Sequence, residues 1–253
     1  MDWSDEAIVL SIRNHGETSA ILEALTREHG RHLGLVYGGT SGKRRAILQP
    51  GNTVQLVWRG RIAEHLGTYT AEPIRLRAGE IFETRASLIG LHAFVAIAGA
   101  VLPEREPHTP AYESANLVLE AIAEANFEKW IQLFARWELA ILEELGFGLD
   151  LSSCAITGSK GNLVYVSPRS GRAVSSEAGK SWHAKLLALP GFLLDEARGV
   201  PSGSDLSAAL HLTAHFLKFW VLAPHETSLP EARRSLNDFA KKYVLSRQGP
   251  ESD

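Results

Sequence analysis

The sequence predicts an α+β protein, a five-stranded N-terminal barrel of the OB type followed by a mostly α-helical domain that carries a short hairpin insert. Three observations carry this expectation. Residues 1–79 contain short β-branched runs separated by glycine-bearing turns. After Gly79 the apolar period shifts from 2 toward 3.6. Residues 152–178 then interrupt the helical pattern with two glycine turns around a short apolar run. The expected division is a nucleic-acid-binding barrel over 1–79 and a helical domain over 80–253, with the insert at about 150–178.

The strands follow in order. A-I-V-L-S-I-R (7–13) is apolar and β-branched, and S-A-I-L-E-A-L-T-R (19–27) continues it. E-H-G-R makes a turn in which Gly30 supplies a positive φ, and H-L-G-L-V-Y (32–37) is the third strand. T-V-Q-L-V-W-R (53–59) alternates until Gly60, and residues 64–72 give the fifth strand. A long glycine-rich and basic loop, G-G-T-S-G-K-R-R-A-I-L-Q-P-G, separates the third from the fourth. An SH3-like barrel would leave a similar trace. Helices are expected at 80–102, 111–125, 127–145, 179–189, 205–221 and 230–245. The 127–145 helix is apolar over so wide an arc, including Phe127, Trp130, Phe134 and Trp137, that it must be buried on two sides.

Composition narrows the function. The chain of 253 residues has 45% hydrophobic and 22% charged residues, as an ordinary globular protein does. One cysteine excludes an intramolecular disulfide framework and fits a reducing, cytoplasmic setting. The opening M-D-W-S-D-E is acidic where an export signal would be basic. Leu88–Leu102 is too short to span a bilayer, so no membrane partner is expected. Net charge is −3, yet nine Lys/Arg face three acids between Arg27 and Arg77, a local excess of six. Such asymmetry points to a polyanion partner.

Most catalytic readings fail on spacing. G-T-S-G-K (39–43) is not a phosphate loop, because Tyr37 stands where its first glycine belongs and Arg44 where a Mg²⁺-binding Ser/Thr belongs. His211 and His215 share a helix face without an acidic third ligand, and their apolar neighbours make them packing residues. No G-x-S-x-G elbow and no paired-carboxylate spacing occurs, so an enzyme is not expected. The informative feature is Lys43-Arg44-Arg45 together with Trp58-Arg59-Gly60-Arg61, cations beside an aromatic ring at a strand end. Single-strand binders need backbone-tracking cations next to rings on which bases stack. The candidate DNA contacts are therefore Arg31, Lys43, Arg44, Arg45, Trp58, Arg59 and Arg61. A solvated charged loop beside a core tryptophan remains the alternative at this point.

L-G-F-G-L-D-L-S-S-C-A-I-T-G (145–158), the preceding L-P-E-R-E-P-H-T-P-A-Y (102–112) and L-Q-P-G-N (48–52) resemble the RecO family of bacterial DNA repair proteins. The resemblance implies an OB domain, a helical domain with a zinc-ribbon-like insert, and binding and annealing of single-stranded DNA in the nucleoid. It also implies help in displacing the single-strand-binding protein, with RecR and that protein's acidic C-terminal tail as partners. A tail site is expected in a hydrophobic groove between the 127–145 helix and residues 216–221. Many family members carry two C-x-x-C pairs in the insert. Here Cys154 is followed by Thr157, and 174–178 contains no thiol, so neither metal nor other cofactor is expected. A generic OB adaptor for RNA or protein is the alternative function.

Overall fold

The computed structural model describes residues 1–62, 64–194 and 200–247, and the chain divides into two compact units, Met1–Asn126 and Phe127–Asp253. In the first unit five strands close a barrel: β1 (Asp2–His15), β2 (Ser19–Thr26), β3 (Gly30–Val36), β4 (Thr53–Arg59) and β5 (Thr68–Arg75). The order around it is β1-β2-β3-β5-β4, with β4 returning to β1 and β3 meeting β5 in parallel at Leu35 and Thr68. This is the OB-type closure the alternation predicts. β1 serves both neighbours, overlapping at Ala7 and Ile8, and its register with β2 shifts between Val9 and Ser11. Its first half pairs with β4 and its second with β2, and the bulge supplies the bend that closure requires.

Alternation sets the core: Val9, Leu22, Ala24, Val54, Leu56 and Trp58 point inward and are buried. The loop expected between β3 and β4 contains a short helix, α1 (Gly42–Ile47), which carries the basic triplet. Ile47 and Leu48 behind it pack on the barrel core. The fifth strand starts at Thr68 rather than residue 64, because Gly67 turns the chain at φ +60°.

Three helices complete this unit: α2 (Ala78–Ile81), α3 (Arg85–Val101) and α4 (Thr109–Ala123). The single helix expected over 80–102 is broken, and Thr84 restarts it by accepting the Ser87 N–H at 3.1 Å. Arg77 is buried and reaches the Gly51 carbonyl, Thr53 Oγ1 and Glu120, so one guanidinium ties α4 to the barrel. The L-P-E-R-E-P segment is sewn to β3 by the Arg105 N–H on the Arg31 carbonyl, at 2.8 Å. Gly30 is needed there twice, for its φ of +68° and because a Cβ would lie 2.1 Å from the Glu106 carbonyl oxygen.

The second unit is built on α5 (Phe127–Glu144), α7 (Gly203–Phe216) and α8 (Glu231–Arg247). Phe127, Trp130, Phe134 and Trp137 of α5 are buried, as its wide apolar arc requires. A buried ion pair, Glu138 with Arg233, joins α5 to α8, and Thr213 of α7 donates its hydroxyl to the same carboxylate at 2.6 Å. The insert is a three-stranded sheet in the order β7-β6-β8, from β6 (Leu163–Val166), β7 (Ala173–Ser175) and β8 (Leu187–Ala188). The helix expected over 179–189 is only α6 (Ser176–Gly179) followed by 3₁₀ turns to Lys185. Beyond α7 the chain runs on as a π-helical stretch, Leu217–Leu222, and a 3₁₀ turn. Gly203–His225 is long and apolar enough to cross a membrane by length and composition, but more than half of it is buried in the protein.

Candidate nucleic-acid interface

Ion pairing sorts the nine basic residues between Arg27 and Arg77 into two groups. Arg27 pairs with Glu113, Arg31 with Glu23, Arg75 with Glu80 and Glu120, and Arg77 with Glu120. Lys43, Arg44, Arg45, Arg59 and Arg61 are exposed, and among the described residues none of them forms an ion pair. The local positive excess thus resides on α1 and on the turn after β4.

Two elements bring those cations together. α1 is packed on the barrel core through Ile47, and β4 ends near it, so Arg44 and Arg59 line one cleft of about 300 Å³. Its floor is Val36, Ile47, Leu48 and residues 68–71, and its rim carries Tyr37, which is 63% exposed. Arg44 is turned back so that its Nη1 donates to the Tyr37 carbonyl, which fixes both against the cleft. Arg61 follows Arg59 around a shallow groove shared with Met1, Asp2 and Gly60. Exposed cations around an exposed ring form a surface on which a polyanion backbone and a stacked base can be held.

Two candidates take other roles. Trp58 is 1% exposed and cannot offer a face to a base. Its indole is wedged beside Gly60 and Gly67, where a Cβ would fall 2.4 and 2.2 Å from the ring, and Nε1 donates to the Leu66 carbonyl at 3.1 Å. The inward set Val54, Leu56, Trp58 was the signal for this placement. Arg31 is also committed, with Nη1 on Glu23 at 2.6 Å and Nε on the Leu102 carbonyl at 2.8 Å. Tyr37 was missed because it ends an apolar strand; the Gly38-Gly39 turn that follows releases its ring to the surface.

Behind Trp58 lies an aromatic cluster. Trp3 stacks on Trp58 at 5.8 Å between centroids and on His29 at 4.1 Å, with interplanar angles of 15° and 8°. His32 meets the Tyr69 hydroxyl through Nδ1 at 2.8 Å. Burial, with a smaller contribution from the charge of Arg105, pulls the His32 pKa down to about 4. His32 is therefore neutral at neutral pH.

The hairpin of the second unit has a metal-site outline without a metal donor set. Cys154 is buried, and its Sγ accepts the Ser175 N–H at 3.3 Å. Gly158 donates to the Cys154 carbonyl at 2.8 Å, and Cys154 N–H to that of Ser159 at 2.7 Å, closing a knuckle turn. Thr157 and residues 174–178 add no thiol or imidazole, and exposed His183 is folded onto the Lys180 carbonyl. Among the described residues no group of three or more His, Cys, Asp or Glu could hold an ion. The residues present do not fit structural zinc, which needs four such ligands. Packing holds the hairpin instead: Gly171 at its tip sits under the Trp220 ring, 2.5 Å from where a Cβ would be, and His215 Nε2 lies 3.3 Å from the Pro168 carbonyl.

An OB-type barrel with a cation-lined cleft is thus followed along the chain by a helical unit bearing a ribbon-like hairpin. The family model "Recombination protein O N terminal" matches residues 1–77, and "Recombination protein O C terminal" matches 83–230. DNA repair protein RecO of Mesorhizobium japonicum is 46% identical over 100% of this chain and 99% of its own length. That of Methylocella silvestris is 48% identical over 97% and 99%, and that of Brucella abortus 45% over 98% and 99%. The chain belongs to the RecO family of DNA repair proteins.

Proposed function

We propose that this chain is a non-catalytic recombination mediator that binds and anneals single-stranded DNA on the nucleoid, with RecR and the tail of the single-strand-binding protein as partners. The observation that carries the reading is the set Lys43, Arg44, Arg45, Arg59 and Arg61, without ion pairs where Arg27, Arg31, Arg75 and Arg77 have them, of which Arg44 and Arg59 line a cleft with an exposed tyrosine. Arg61 lies in the β4–β5 connection, one of the loops with which OB folds hold oligonucleotides. Family membership supports the repair context.

For the acidic tail, the second unit offers a cleft of about 460 Å³ between α5 and residues 192–194, with Leu139, Ala140 and Phe192 as apolar walls and both Arg136 and Glu143 in its lining. It is cut on the α5 side and does not include residues 216–221, the region expected from the sequence.

The deciding measurement is equilibrium binding of single-stranded DNA, duplex DNA and RNA of one length at one salt concentration. Preference for single-stranded DNA supports the reading. Equal affinity for RNA, or no affinity for any of the three, favours an adaptor function of the same barrel.

A further inference from the structure

The cation cleft does not end at Arg59. Arg59 also borders the shallow groove over Met1, Asp2, Gly60 and Arg61, and Met1 and Asp2 in turn border a third cleft of about 610 Å³. That third cleft is walled by Trp3, His29, Arg105 and Pro107, with the Glu28 carboxylate also in its lining. The three depressions are thus neighbours, each sharing a lining residue with the next, all within the first unit.

The third cleft is built as a stacking platform. Trp58, Trp3 and His29 form a file of near-parallel rings, its inner member fully buried and its outer member one-third exposed. His29 is the terminal ring. Its orientation is fixed by Nδ1, 2.9 Å from Asp5 Oδ2, and the same buried carboxylate accepts the Glu28 N–H at 2.8 Å. A ring held in this way meets a flat partner with little further loss of freedom. Arg105, exposed and left-handed at φ 62°, places a guanidinium in the same cleft. A terminal aromatic face beside a cation is the pair of features that holds one unpaired nucleobase and its phosphate.

We propose that the cleft at Trp3, His29 and Arg105 is a nucleobase-stacking subsite, in which a strand seated at Arg44 and Arg59 continues past Arg61 and lays a base on the outer face of His29. This rests on the reading of the chain as a single-strand binder and assigns that strand a direction along the barrel and a second anchor.

The test uses the full chain and fluorescein-labelled oligothymidylate of about 16 nucleotides, the upper range for one OB fold. His29→Ala is expected to weaken binding about tenfold with an unchanged salt slope, and His29→Phe to keep near wild-type affinity. Against an abasic oligodeoxynucleotide of equal length, His29→Ala and wild type should bind alike. In the wild-type protein, 5-iododeoxyuridine at one strand position should photocross-link to the peptide holding Trp3 or His29. Wild-type affinity in His29→Ala overturns the subsite while Arg44→Ala still flattens the salt slope, which leaves the binding function standing. A folded His29→Phe that binds as poorly as His29→Ala, or cross-links confined to other peptides, overturns it too. Wild-type protein that binds no oligonucleotide at any salt overturns both.

Discussion

Arg233 donates from Nε and Nη2 to the two carboxylate oxygens of Glu138, at 2.6 and 2.8 Å, and neither side chain has any exposure. The same guanidinium reaches the Leu210 carbonyl at 2.9 Å, so α5, α7 and α8 share one polar knot inside an aromatic core. Arg233 is thereby buried, whereas Arg234, Lys241 and Lys242 of the same helix are exposed.

Breaking half of that knot should cost far more than removing it. Glu138→Gln or Arg233→Met alone should destabilise the protein by about 3–5 kcal/mol, since each leaves a buried polar group without its partner. The double variant Glu138→Leu with Arg233→Met should recover most of the loss. Urea midpoints of the four proteins check this, and a double variant as unstable as the worse single one would contradict it.

Replacing Lys43, Arg44 and Arg45 by Ala should weaken single-stranded DNA binding whatever the base sequence. The log–log salt slope should flatten by about 2, at about 0.7 per phosphate contact. Because the triplet sits on exposed α1, its thermal midpoint should stay near wild type. A triple variant with the wild-type slope would move the backbone contacts elsewhere.

Trp58→Ala should act on folding. The ring is buried in the barrel core, so its removal should cost about 3–5 kcal/mol, measurable by chemical denaturation. Trp58→Phe should retain most of the stability and, once folded, nearly wild-type DNA affinity. A stable Trp58→Ala protein with a specific loss of DNA binding would contradict this placement.

Stability should fall with acidity through His32. The unfolded chain protonates this residue near 6.5 and the folded chain only near 4, so between those values the unfolded state holds more protons. Stability therefore rises with pH across that window, by about 3 kcal/mol at most from this group. His32→Gln should flatten the dependence between pH 4 and 6.5 in denaturation curves; an unchanged curve would place the titration in other groups.

Purified protein should carry no stoichiometric zinc by elemental analysis, and a chelator should leave its thermal midpoint unchanged. The observed fit is between Cys154 Sγ and a backbone N–H, with one thiol where four ligands would be needed. One tightly held zinc per chain would contradict this.

The barrel was legible because period-2 alternation, as in Val54, Leu56 and Trp58, reports directly which face is buried. The helix α1 was not, since six residues between Ser41 and Leu48 are too few to show a 3.6-residue period and their glycine-rich approach reads as a loop. The site was half legible. Sequence clusters showed where cations are dense, but which of them are spent on carboxylates depends on partners as distant as Glu113 and Glu120. The base-stacking role assigned to Trp58 failed for a related reason, because a ring beside arginines in sequence can face the opposite side of the strand.

A hairpin closed by a bound ion is a two-component equilibrium, and its free energy shifts with the logarithm of free metal. The one closed here by Trp220 over Gly171 has a single component. Its fastening does not depend on how much zinc the cell holds, and oxidants that strip metal from thiolates find no such linkage to open. The cost moves into the chain itself: any side chain at position 171 must displace an indole ring, so a single codon change there can undo what metal starvation cannot.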